Sequence, residues 1–212
     1  ESDPLINYGD NQVAKDAIAR LADVAHLVGA RGVIFYPYLV SDFGYLLGAC
    51  KEYGISPIVE NMDAARGKMS YHKIYRWAQD FEELAQNQDV GIALNLQHAY
   101  ECDSSMRVIK GLVRMFKDRI RLVHVSGRTI SHNHWPIHCS DDPERILDVL
   151  DRVPRDVPLI TQGYLLHDFE ITASEEIRYI KGERDRIPFI PEKQPVGASG
   201  RIQKDERRLT RG

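Results

Sequence analysis

Three of the chain's eight histidines fall within seven residues, in the segment HNHWPIH at 132–138. Neutral imidazole is the commonest protein ligand for zinc and related metals. In an extended segment, residues two apart point the same way, so His132 and His134 could hold one ion. Pro136 argues against a helical reading of the spacing from His134 to His138. A bare pair of this kind also occurs in ordinary polar loops. Cys139 follows directly and is read as a buried or idle thiol. Trp135 could stack on a base or sugar face, or cap the core.

The elements that would position these residues alternate along the chain. Apolar residues at Val13, Ala17, Leu21, Val24 and Leu27 predict a helix over 11–28, by their 3.6-residue rhythm. Buried-type strands are expected at 32–36, 55–60, 90–95, 120–126 and 157–162. Helices are expected between and after them at 43–53, 73–86, 105–116, 143–150 and 174–180. Strands that are apolar throughout and joined by helices mean a parallel sheet covered on its faces. No G-x-G-x-x-G follows any strand, which counts against a dinucleotide fold.

Ligand-type residues recur at the carboxyl ends of these strands: Tyr36, Glu60, Asn95 with His98, His124 and Gln162. Barrel enzymes gather their sites there, because separate strands converge on one mouth. In an open sheet the same residues would be spread along an edge. The expected fold is therefore α/β, a (β/α) barrel of the TIM type, incomplete in this chain with about five parallel strands.

Composition narrows the classes further. Apolar content of 43% and a charged fraction of 28% are ordinary for a globular protein. No apolar run approaches the ~20 residues that span a bilayer, so no membrane partner is expected. Cys50, Cys102 and Cys139 form no C-x-x-C pair, which fits a reducing compartment and predicts a cytoplasmic location. A net charge of −3 gives no global attraction to nucleic acid. Residues 181–212 nevertheless hold nine Lys/Arg against five Asp/Glu. Two regions follow: a partial barrel over 1–190, and a basic, extended tail over 191–212.

The segments IVEN (58–61), VGIALNLQHA (90–99), LVHVS (122–126) and LITQ (159–162), preceded by PLIN (4–7), resemble in order and spacing the xylose-isomerase-like TIM-barrel superfamily. That group includes the endonuclease IV type apurinic/apyrimidinic endonucleases (AP endonuclease family 2) and many sugar isomerases and epimerases. The resemblance implies a metal-ligand glutamate at Glu60, a D-x-x-H pair at Asn95 and His98, and a histidine at His124. It further implies an endonuclease-type Asp-x-His pair at His132 and His134, a glutamate at Gln162 and a histidine at Tyr36.

The departures shape the expectation. Two family carboxylates are amides here, Asn95 and Gln162, so a metal at Glu60 would meet little charge. His98, His132 and His134 instead offer three imidazoles, a recognised catalytic zinc arrangement. Zinc is thus the expected cofactor, with manganese or no metal as the alternatives. If these strands are the fourth to eighth of the family, the first three are absent: either the chain is a fragment, a partner or second copy completes the barrel, or the sheet stays open with an edge that must be covered.

The resulting reading is a metal-assisted hydrolase or isomerase. It would act on a sugar-containing or phosphorylated small molecule, or on damaged DNA. Glu60 and His124 would be catalytic. His98, His132, His134, Glu60 and His124 would be the metal candidates, and Asn95, Gln162, Tyr36 and Trp135 would face substrate. The alternative is a non-catalytic family member with an eroded metal site, acting as a binding or assembly module.

Overall fold

The computed structural model describes residues 7–36, 39–62, 90–163 and 173–182. In chain order they form α1 (Gln12–Leu27), β1 (Gly32–Phe35), α2 (Phe43–Glu52), β2 (Ser56–Glu60), β3 (Gly91–Asn95), α3 (Leu96–Cys102), α4 (Arg107–Phe116) and β4 (Ile120–Val125). There follow β5 (Gly127–Arg128), β6 (Asn133–Trp135), a 3-10 turn at Ile137–Cys139, α5 (Pro143–Leu150), β7 (Leu159–Thr161) and α6 (Ala173–Ile180). Local chemistry sets the helix ends. Asn11 and Asp42 accept from the backbone N–H of Ala14 and Tyr45 to cap α1 and α2. Gly29 (φ 68°) and Gly54 (φ 69°) take the left-handed conformation that stops each helix.

Five strands form one parallel sheet in the order β1-β2-β3-β4-β7, and β5 pairs with β6 as a separate antiparallel hairpin. The β-helix alternation puts helices on the outer face, where the core gathers Val59, Ile92, Leu94, Leu112, Phe116 and Val123 among others. The inner face carries a thin apolar layer of Ile34, Ile58 and Ala93, with Leu122 against it. This is half of a (β/α) barrel. Among the described residues both outer strands, β1 and β7, are sheet edges, and Leu159 and Ile160 on β7 are about half exposed. No described helix is long and apolar enough to cross a membrane.

The first helix differs from expectation in its buried face. It turns Ala14, Ala17, Ile18, Ala22 and Ala25 inward, and leaves Val13, Val24 and Leu27 63%, 58% and 86% exposed. Both stripes share the 3.6-residue period, so periodicity cannot choose between them. Close packing does, because alanines let the helix axis approach β1 and α2. The expected helix over 73–86 and the tail over 191–212 lie outside the described residues.

Candidate active site

Parallel pairing carries a residue's facing across the sheet. Glu60 pairs with Ala93, Asn95 with His124, and His124 with Ile160. Since residues two apart face the same way, Glu60, Asn95, His124 and Gln162 all point inward at the carboxyl ends of β2, β3, β4 and β7. Tyr36 follows Phe35, whose register partner is Val59, and so stands level with Glu60.

The side chains meet. Asn95 Nδ2 donates to Glu60 Oε1 at 2.8 Å and to Gln162 Oε1 at 3.2 Å. His124 Nδ1 lies 3.0 Å from Glu60 Oε2, and His98 Nδ1 lies 3.7 Å from Glu60 Oε1. Glu60, Asn95 and His124 are 1–2% exposed. Glu60 Oε2 and His124 Nδ1 are close, but misaligned for a hydrogen bond, and neither has another partner. Buried polar atoms in that state are uncommon and mark places where a ligand or a proton is handled.

One residue with no sequence-assigned role, Asn61, holds this cluster. Asn61 Oδ1 accepts from Asn95 N (2.7 Å), and its Nδ2 donates to Asn95 O (2.9 Å), clamping the ends of β2 and β3. Its carbonyl lies 3.3 Å from His98 Nδ1. Asn95 also caps α3, with Oδ1 accepting from His98 N at 3.1 Å. One side chain thus positions His98 and contacts Glu60. The signal for Asn61 was its place directly after Glu60, where an amide can reach the neighbouring strand's backbone.

The histidine hairpin behaves differently from expectation. Gly127 pairs with Trp135 and Arg128 with Asn133, so His134 is the extra residue of a bulge, at φ 53°. The bulge breaks the alternation that would have aligned His132 with His134. His134 turns toward the site, with Nδ1 3.1 Å from Ser126 Oγ and its ring 5.4 Å edge-on from His98. His132 is exposed and stacks on Trp135 at 4.6 Å. Trp135 itself is buried, which matches the capping reading of that residue.

The expected centre of His98, His132 and His134 is therefore not gathered around one point. Among the described residues, no three His, Cys, Asp or Glu side chains form a group that could hold a metal ion. The Glu60 cluster is also a poor fit for a divalent cation. Asn95 turns its NH2 group toward Glu60 and Gln162, so the positive end of the amide faces the shared space. Flipping the amide would oppose NH2 to the His98 N–H and oxygen to Glu60, so the orientation is fixed from both ends.

A second buried pair lies beside the hairpin. His138 Nδ1 is 2.6 Å from Glu176 Oε2, and Glu176 also accepts from Ile137 N at 2.7 Å. Burial would lower the His138 pKa, but hydrogen bonds to Cys139 and Glu176 and their charges outweigh it, raising it to about 9. The pair ties α6 to the turn at Ile137–Cys139. Glu176 sits on a polar helix and gave no sequence signal of its burial.

No family model and no curated protein sequence matches this chain. Its structure is similar to that of D-psicose 3-epimerase from Clostridium cellulolyticum H10, solved with D-tagatose. The TM-score is 0.52 at 9% identity, covering 87% of this chain and 75% of that one. At that identity the likeness speaks for architecture. The chain has the fold of an incomplete (β/α) barrel, with its polar cluster at the carboxyl ends of the strands.

Proposed function

We propose that this chain acts on a small sugar-type substrate as an isomerase or epimerase, with Glu60 moving the proton and His124 holding it in place. The observation that carries the reading is the buried approach of Glu60 Oε2 and His124 Nδ1 at 3.0 Å, neither with a well-formed partner. Around them stand amide groups suited to sugar hydroxyls. The similar structure, a D-psicose 3-epimerase solved with D-tagatose, supports the same class.

In this reading Glu60 Oε2 takes the proton from the carbon beside the substrate carbonyl. The C–H electron pair passes into an enediolate, with negative charge on the former carbonyl oxygen. His124 Nδ1–H is the donor available to that charge, since both N–H groups of Asn95 are already given to Glu60 and Gln162. Returning the proton to the neighbouring carbon, as the hydroxyl proton crosses between the two oxygens, gives the isomer. Epimerisation would require a second acid on the opposite face of the substrate to return the proton to the same carbon. This reading requires no metal ion.

Deuterium uptake tests it. The protein, incubated in D2O with a panel of ketoses and aldoses, should incorporate deuterium beside the carbonyl of at least one. Glu60→Gln should reduce the rate at least ~100-fold, with an unchanged melting temperature excluding unfolding. No exchange on any sugar, with or without added Mn2+ or Mg2+, would overturn the reading.

The binding-module alternative has one observation in its favour. Both ends of the Asn95 amide are engaged within the protein, a preorganised network that binds without turnover. Saturable sugar binding with no exchange would support it. The phosphodiesterase version drew on His98, His132 and His134 acting together, and the stacking of His132 on Trp135 removes one of them.

A further inference from the structure

On the outer side of the sheet, α4 buries Ile109, Leu112, Val113 and Phe116. Its other face is basic. Arg107, Lys110 and Arg114 recur at intervals of three and four, and Lys117 continues the stripe just past the helix end. Arg152, in the turn after α5, faces the same stripe, because Lys110 and Arg152 share the carboxylate of Asp148. Between them runs a groove of about 450 Å³, lined by these five cations with Gly111 and Val113 in its floor. The Gly111 position is open, with nothing within 4 Å of where a Cβ would stand.

Asp148 is the one carboxylate paired with these cations among the described residues. The side chains of Arg107, Arg114 and Lys117 make no hydrogen bond or ion pair there. Gathering so many like charges costs energy unless an anion meets them, and the chain as a whole is acidic, at −3. The cations do not converge on a point. They are strung along a helix for about 15 Å, at 1.5 Å per residue, which is longer than one phosphate group.

We propose that this groove binds the phosphate backbone of a single-stranded nucleic acid without reading its sequence. Guanidinium forks match phosphate oxygens in pairs, and three of the five cations are arginines. The recess between two helices admits one strand, and it has no aromatic side chain on which bases would stack. Backbone charge would therefore supply the affinity. The groove lies on the helical side of the sheet, so this binding is independent of the Glu60 cluster.

The test is fluorescence anisotropy with a fluorescein-labelled 15-residue oligothymidine. Saturable binding is expected at 50 mM KCl. It should weaken with salt at a log–log slope of about −2 to −3, the value for three or four single-strand phosphate contacts. Arg114→Glu with Lys117→Glu should weaken binding at least ~10-fold and flatten the slope, with an unchanged melting curve. The basic residues of 191–212 remain in that variant, so undiminished binding would assign the affinity to them and overturn the groove. Absence of saturable binding would overturn it as well. Competition by pyrophosphate at equal concentration would mean a small phosphate ligand, and competition by a poly-glutamate of equal length would mean an acidic peptide. Either result would displace the nucleic-acid assignment.

Discussion

Replacing Glu176 by Gln removes one charge from a buried pair while keeping an oxygen for the Ile137 N–H, so the perturbation isolates the ionic part. In the folded chain His138 is raised from 6.5 to about 9 by Cys139 and Glu176, against the opposing effect of burial. At about 1.36 kcal/mol per pKa unit, the rise from 6.5 to about 9 corresponds to about 3 kcal/mol for Cys139 and Glu176 together, so Glu176→Gln removes at most that much. For a domain of this size the upper bound is roughly 6–12 °C in melting temperature.

The sign follows from the direction of the shift. Because the folded pKa is raised, the stabilisation is complete below pH 6.5 and is lost as pH rises through about 9. Thermal melts of both proteins at pH 6.0 and pH 9.5 give the measurement. The gap between wild type and Glu176→Gln should be several degrees, at most about 6–12 °C, at pH 6.0 and should shrink to a small remainder at pH 9.5. An equal gap at both values would refute the assignment of a charged His138, leaving Glu176 as a neutral hydrogen-bond acceptor for the turn.

Three further outcomes follow from the site geometry. Asn95→Asp with Gln162→Glu would put three carboxylates, Glu60 included, beside His124. Millimolar Mn2+ should then raise the variant's melting temperature by several degrees and leave the wild type unmoved; an equal rise in both would show that the amides do not exclude the cation. Asn61→Ala loses two buried hydrogen bonds between the ends of β2 and β3, and urea unfolding should show a loss of about 2–4 kcal/mol. In the deuterium-uptake assay His134→Ala should slow exchange, because His134 packs on His98. His132→Ala should leave it unchanged, and an equal effect of both would restore His132 to the site.

The strands and their polar ends were legible in the sequence for a physical reason. A parallel strand covered on both faces must be apolar throughout, so Glu60, Asn95, His124 and Gln162 stood out against runs such as 90–94. Their common facing then followed from the two-residue period of a strand and the ends at which they occur. The helices were legible too, since α5 spans Pro143–Leu150, the range expected from its pattern. Glycine-punctuated α1 and α2 were placed within one or two residues.

What stayed hidden were the features that depend on two segments meeting. The buried face of α1 was ambiguous because its alanine and valine stripes share one period, and only the partner surface selects the smaller side chains. His134 left the alternation because its hairpin carries a bulge, a pairing fact that spacing along one strand does not contain. The role of Asn95 turned on which end of its amide faces Glu60, and that was decided by the first N–H groups of α3 and by Gln162, 67 residues away. Glu176 looked like a solvent residue on a polar helix and became buried because His138 and the Ile137 N–H were waiting at the surface where that helix docks. Residue type and period determine which groups are available and which way each strand turns them. Orientation, pairing and charge state arise from contacts between distant segments, and those existed only once the chain had folded.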